Sequence, residues 1–406
     1  MAKLTYKHTL SACFIGYITQ AIVNNFAPLL FLTFQTEFSI GLDKITMLVT
    51  INFVTQLIVD MLSAKVVDKI GYKPCIIAAH VFCASGLIGL ALFPGVGDPY
   101  AGLLIAVVLY AIGGGLIEVL VSPIAEACPT TDKTGAMSLL HSFYCWGSAA
   151  VILVTTLLLL AIGSEHWRWL AVGWAAVPIF NAIYYGFVPV GELQEEEGGT
   201  RLRTLFSSGT FWLFAVMMLC AGASELSMSQ WASAFAESGL GISKTMGDLF
   251  GPCLFAVLMG VARVLYARFG ARLNAPLTIA CSCVLCVVSY LLAALSPIPA
   301  LGLVGCALCG LSVGIFWPAT FSLAIGRMPK GGTALFAILS LGGDVGCTVG
   351  PTLVGLVSDA RGGELSTGLL FAMIFPIVLA ICSVLLLVIS RKKPSTDLPD
   401  LSSQND

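Results

Sequence analysis

Apolar residues in this chain come in long unbroken runs, each ended by a short polar or glycine- and proline-bearing stretch, from the first residues to the last. A helical run of about 18 residues or more crosses a hydrocarbon core of about 30 Å at roughly 1.5 Å per residue. The pattern predicts twelve spanning helices, at about 8–34, 44–65, 73–94, 100–124, 134–162, 166–188, 209–234, 247–268, 275–295, 299–326, 332–357 and 365–390. The first run is too long for a signal peptide and is expected to be retained as a span.

The polar stretch from Pro189 to Gly209 carries Glu192, Glu195, Glu196, Glu197, Arg201 and Arg203 and cannot span. It divides the chain into a six-helix bundle at 1–188, a cytoplasmic linker at 189–208, a second six-helix bundle at 209–392 and a disordered tail at 393–406. The halves echo each other: Pro123 and Gly135 bracket the passage from span four to five, as Pro318 and Gly332 do from ten to eleven.

Composition agrees. Of 406 residues 58% are hydrophobic and only 10% charged, less than half the charge of a soluble domain. Sorting charge by loop adds orientation. With both termini in the cytoplasm, sixteen of the twenty Lys and Arg fall on that side and only Lys44, Arg168, Lys244 and Arg361 on the other, a decisive positive-inside bias.

Most of the fourteen cysteines sit inside apolar runs, without histidine or carboxylate neighbours, and read as small packing residues. Gly310-Leu311-Ser312-Val313-Gly314 matches a hydrolase nucleophile elbow, but that motif needs a strand-turn-helix setting and here lies in a span. No metal cluster, nucleotide loop or nucleophile–base set is legible, so neither an enzyme, a cofactor nor a nucleic-acid partner is expected.

Between spans two and three stands Ala64-Lys65-Val66-Val67-Asp68-Lys69-Ile70-Gly71-Tyr72-Lys73. This resembles the loop signature G-x-L-x-D-R-x-G-R-K of the major facilitator superfamily, matching at Asp68, Lys69, Gly71 and Lys73 and departing at Ala64 and Tyr72. Arg263 to Arg272, including Arg268, is a degenerate counterpart between spans eight and nine. Phe316-Trp317-Pro318 and Gly342-Gly343-Asp344, with Glu118, Glu225 and Trp231, look like the fucose permease and sodium-dependent glucose transporter-like branch. The resemblance implies an all-α membrane fold of two six-helix bundles about a central cavity, alternating access, and cation-coupled sugar uptake; a proton-coupled exporter of drugs or metabolites is the alternative. A monomer in a bacterial cytoplasmic membrane, with a sugar-like solute, a proton or sodium ion and the lipid bilayer as partners, is the expectation.

Ionisable groups inside spans are costly and normally face a cavity or a partner. Glu118 matches the proton-linked carboxylate of the branch, and His141 on the next span enters from the cytoplasm to a similar depth of about 10 Å, within possible reach of it. Asp344 points away from the bare stripe Gly342, Gly346, Gly350. These three are the coupling-ion candidates. Gln20, Asn24 and Asn25 on span one put amides where fucose permease carries an acid, a departure that weighs against a two-carboxylate mechanism. Asn52 and Gln56 share a face of span two one turn apart. With Glu225, Gln230, Trp231 and Trp317 they are the substrate-binding candidates, amides and carboxylates for hydroxyls and indoles for an apolar sugar face. Asp60, Asp68, Lys69, Gly71, Lys73, Arg263 and Arg268 are expected to switch partners as the halves rock.

Overall fold

The computed structural model describes residues 4–129, 133–191, 205–328 and 332–392; within these ranges the side chains of 64–66, 68, 133–138, 271, 332–334, 336 and 390–392 are outside the description. Twelve helices long and apolar enough to cross a membrane account for nearly all of it: α1 Tyr6–Phe38, α2 Leu42–Ile70, α3 Tyr72–Gly95, α4 Pro99–Glu126, α5 Lys133–Ile162, α6 Ser164–Phe187, α7 Gly209–Gly239, α8 Lys244–Phe269, α9 Ala275–Leu295, α10 Pro299–Arg327, α11 Gly332–Ala360 and α12 Leu365–Ile389. No strand occurs among the described residues.

Local chemistry sets several ends. Asp98 caps α4, accepting from the backbone N–H groups of Tyr100 and Ala101 at 3.2 and 3.4 Å, with Pro99 at the first position, and Asn274 caps α9 through the Leu277 N–H at 3.1 Å. The segment expected as a loop between spans two and three is mostly helix. Here α2 continues to Ile70, and only Gly71, at φ +90°, lies outside helix before α3 begins. A side chain is strained in that conformation, so the glycine makes the reversal by itself. The side chain of Asp68, and all of 192–204 and 393–406, lie outside the described residues.

Internal repetition is visible in the irregular helices. α1 runs regularly over Tyr6–Asn25 before a 3₁₀ turn at Ala27–Leu30 that contains Pro28, and α7 runs over Gly209–Ser229 before breaking at Gln230 and Trp231. Each first helix of a half thus keeps about twenty regular residues and then bends, as inverted or parallel repeats in transporters do.

Bare backbones allow close approach. At Gly346 and Gly350 a Cβ would run into the carbonyls of Leu219 and Ala223, so α11 lies directly against α7 along the stripe read from the sequence. Buried His80 of α3 bonds the Ile76 carbonyl through Nδ1 at 2.7 Å and lies 2.8 Å by Nε2 from the Asn181 amide of α6, which also donates to the Ala12 carbonyl of α1. This ties three helices of the first half together. Large apolar side chains cover the outside, Trp169 being 72% and Phe187 71% exposed, which suits lipid and not water. All fourteen cysteines are free, twelve of them buried.

The halves meet along α2–α11 and α5–α8. Five hydrogen bonds cross between them among the described residues. They join Thr50 to Thr352 at 2.7 Å, Thr156 to Asp248 at 3.2 Å, Gln230 to the Asn24 carbonyl at 3.0 Å, Cys253 to the Ala149 carbonyl at 3.6 Å, and Lys244 to the Leu29 carbonyl. All lie at mid-depth or toward the side remote from the chain ends, so that far side is shut.

Candidate functional site

Two turns of α1 and two of α2 face each other through amides. The Gln56 carboxamide nitrogen donates to Asn52 at 3.0 Å, its neighbour one turn back, and to Asn24 at 3.1 Å; the Gln20 nitrogen donates to Gln56 at 3.1 Å and to Glu118 of α4 at 3.2 Å. A polarised chain of amides, buried at 2 to 6% exposure, therefore ends on a carboxylate. Asn24 also reaches the Tyr144 hydroxyl at 3.5 Å, and Asn25 donates to Ser148 at 3.0 Å and to the Ala21 carbonyl at 2.9 Å.

Glu118 is not alone. One oxygen each of Asp60, Glu118 and Asp344 lies within 4.8 Å of the others, and all three residues are half-buried. They sit 18, 19 and 16 residues in from the far-side ends of their helices at Leu42, Pro99 and Ala360, so three helices present them at one depth. Gly115 makes this possible: a Cβ there would come to 3.0 Å from the Gln56 carbonyl and 3.1 Å from Asp60, so its bare backbone lets α2 close on α4. Among the described residues this is the one group of three carboxylate, histidine or cysteine side chains near enough to share a cation. Asp60, expected as a switch residue, belongs to this cluster.

His141 is elsewhere. It is exposed although it lies well inside α5, its Nδ1 is 3.4 Å from the Tyr17 hydroxyl and its ring 5.5 Å from that of Tyr17, whose oxygen is 3.0 Å from Ser122. No hydrogen bond or ion pair joins it to Glu118 in the described structure, because Glu118 faces the Gln20 amide instead.

In the second half Glu225, 5% exposed, faces the Arg263 guanidinium of α8 at 3.6 Å. Arg263, expected among the residues that switch partners as the halves rock, faces a carboxylate of its own half in this state. Gln230 and Trp231 mark the α7 break: Gln230 ties to the Asn24 carbonyl, and the fully buried Trp231 donates from its indole to the Pro351 carbonyl at 2.9 Å while its ring lies 5.5 Å from Phe31. Trp231 is thus closed off from any solute in this state. Trp317, half-buried, sits against Gly343 with Phe321 at 6.2 Å. At the terminal side Lys73 donates to the Val188 carbonyl at 3.0 Å, while Lys69 and Arg268 are exposed, Arg268 lying 5.9 Å over the Phe269 ring.

Several residues of this interior escaped the sequence reading. Tyr17 falls three residues before Gln20 and seven before Asn24, and Tyr144 and Ser148 three and seven after His141, so each completes a polar helix face. Asp248, 1% exposed near the far side, accepts from Ser233 at 2.5 Å and Thr156 at 3.2 Å and pairs with Lys244 at 3.2 Å. Its signal was the i, i+4 spacing from Lys244. Ser312 of the false elbow donates to the Cys309 carbonyl at 2.6 Å inside α10.

The family model of the Major Facilitator Superfamily matches residues 10–335 and again 252–402, and the chain belongs to that superfamily. It is a transporter and not an enzyme. Among solved structures it is similar to a variant of the E. coli fucose:proton symporter FucP, with 18% identity, a TM-score of 0.65 and coverage of 94% of this chain and 99% of that one. It is also similar to a variant of the nucleoside transporter NupG, with 13% identity, a TM-score of 0.74 and coverage of 93% and 99%. At such identities the likeness is one of fold. A search of curated proteins finds no match.

Proposed function

We propose that this superfamily member carries a small neutral polar solute, sugar-like in chemistry, across a cytoplasmic membrane, in symport with a cation, most simply a proton, taken up at Asp60, Glu118 and Asp344. The observation that carries the reading is the convergence of three carboxylates from both halves within 4.8 Å at one depth. Three like charges at that spacing in a weakly polar interior repel strongly. A bound proton or metal cation relieves the repulsion and lets α11 stay beside α2; its departure drives them apart. Cation occupancy and the closeness of the halves are linked for that reason, which is what coupled alternating access requires.

With both termini in the cytoplasm, as the loop charges favour, the closed far side is the outside and the state is inward-facing. The solute path then runs past exposed His141 and half-buried Tyr144 to the amide chain and to Glu225 and Arg263. Amides, hydroxyls and a charge-balanced pair suit a solute rich in hydroxyl groups. Fucose and nucleosides, named for the two structural neighbours, are of that kind. Purified protein in proteoliposomes, given an inward proton gradient and a panel of sugars and nucleosides, tests the reading: gradient-driven accumulation of a member supports it, and accumulation of none across proton and sodium gradients overturns it.

A further inference from the structure

Glu225 and Arg263 face each other without completing a bond. Their closest charged atoms are 3.6 Å apart, beyond the usual 2.7–2.9 Å of a charge-assisted hydrogen bond. Glu225 Oε2 and Arg263 Nε are both buried, and neither has a hydrogen-bond partner among the described residues. Buried polar atoms are nearly always partnered, so an acceptor and a donor left open within one ion pair are unusual. The pair is not fully sealed: the Arg263 side chain is 19% exposed and that of Glu225 is 7% exposed.

The chemistry of the two open atoms is opposite. Guanidinium only donates and carboxylate only accepts. A ligand carboxylate would satisfy Arg263 and be repelled by Glu225; a ligand ammonium would do the reverse. Of these three groups the hydroxyl does both jobs through one oxygen, donating its proton to Glu225 and accepting from Arg263. The pair carries no net charge, so a neutral group enters it without burying an unpaired charge.

We infer that Glu225 and Arg263 form a single hydroxyl-reading subsite that selects neutral polyols and rejects their acidic and amino counterparts. The inference rests on the polyol reading above and deepens it. Arg263, which opens the stretch resembling a loop motif in the sequence but lies inside α8, six residues before its end at Phe269, acts here as a specificity residue in direct contact with the solute.

Ligand-induced thermal shifts of the full chain in detergent test this, with D-glucose, L-fucose and uridine as neutral probes and D-glucuronate and D-glucosamine as charged ones. Wild type is expected to bind a neutral probe at least about tenfold more tightly than either charged one, a loss of one charge-assisted hydrogen bond. Glu225→Gln leaves an unopposed cation and should turn preference toward glucuronate; Arg263→Gln leaves an unopposed carboxylate and should turn it toward glucosamine. A merely structural pair would lower the melting temperature without moving this charge preference. Should a single variant fail to fold, the double Glu225→Gln, Arg263→Gln variant keeps the region neutral; it is expected to fold and to bind the neutral probe no more weakly than about the worse single variant, since both act on one hydroxyl. Wild-type binding of a neutral probe with charge preference unmoved in the variants overturns this inference alone. Absence of wild-type binding to every neutral probe overturns the polyol reading and the subsite with it.

Discussion

Asp60 of α2 and Asp344 of α11 bring carboxylate oxygens within 4.8 Å of each other although they belong to different halves of the molecule. No lysine or arginine forms an ion pair with either among the described residues. What holds them together is therefore the packing of α11 on α2, where Gly355 leaves no room for a side chain beside Thr46 and Thr50 meets Thr352 at 2.7 Å. Removing one charge is expected to release repulsion. Asp344→Asn should stabilise the purified protein by up to about 3 kcal/mol, the order of one like-charge repulsion at that spacing in an effective dielectric of about 20, while abolishing uphill accumulation and sparing solute exchange at equilibrium. Thermal melts and counterflow in proteoliposomes measure the two effects.

The far-side closure rests on Asp248, reached by Ser233, Lys244 and Thr156, the last from the opposite half. Thr156→Val removes the cross-half donor while Lys244 still pairs with the same carboxylate oxygen, at a cost of about 0.5–1.5 kcal/mol. That shifts the balance toward a far-side-open state by roughly 2- to 12-fold. Spin labels on the far ends of α5 and α8 should report a longer distance population; an unchanged distribution would show that the latch does not hold this state.

At Gly346 the Leu219 carbonyl lies where a side chain would go. Gly346→Ala must push α11 off α7, and since the obstacle is backbone the expected loss is about 1–3 kcal/mol of stability, with lower expression as the visible sign. Gly362, at φ +75° with open space around it, should accept alanine at a smaller, purely conformational cost. Melting temperatures of the two variants check the order.

Tyr17 and His141 are joined at 3.4 Å, with Ser122 behind Tyr17. If this trio only positions the exposed imidazole at the cavity mouth, Tyr17→Phe should alter transport rate by a few-fold and leave the gradient dependence intact, whereas Glu118→Gln removes the dependence. Initial uptake rates across a pH series separate the two residues.

The twelve spans were legible because lipid demands long apolar runs. The stripe Gly342, Gly346, Gly350 was legible for a similar reason: four-residue spacing puts small residues on one helix face. Cross-helix partners were not. Glu118 and His141 stand at similar depth on consecutive spans, yet helix rotation turns one toward Gln20 and the other toward Tyr17. Arg263 looks like part of a loop motif because its neighbours Arg268 and Arg272 lie near the terminal side; its own partner, Glu225, comes from the preceding span and is fixed only by how α7 and α8 pack. Periodicity gives the face of each helix, and tertiary packing decides what that face meets.

Cation coupling through Glu118, Asp60 and Asp344 is the central claim. Its most direct measurement is solute-induced proton movement in proteoliposomes enclosing a pH-sensitive dye, with the sugar or nucleoside that wild type accumulates. Addition of that solute outside should acidify the lumen for wild type and leave it unchanged for Glu118→Gln, while the variant still exchanges labelled solute; solute uptake by wild type without lumenal acidification, or acidification that persists in Glu118→Gln, would contradict it.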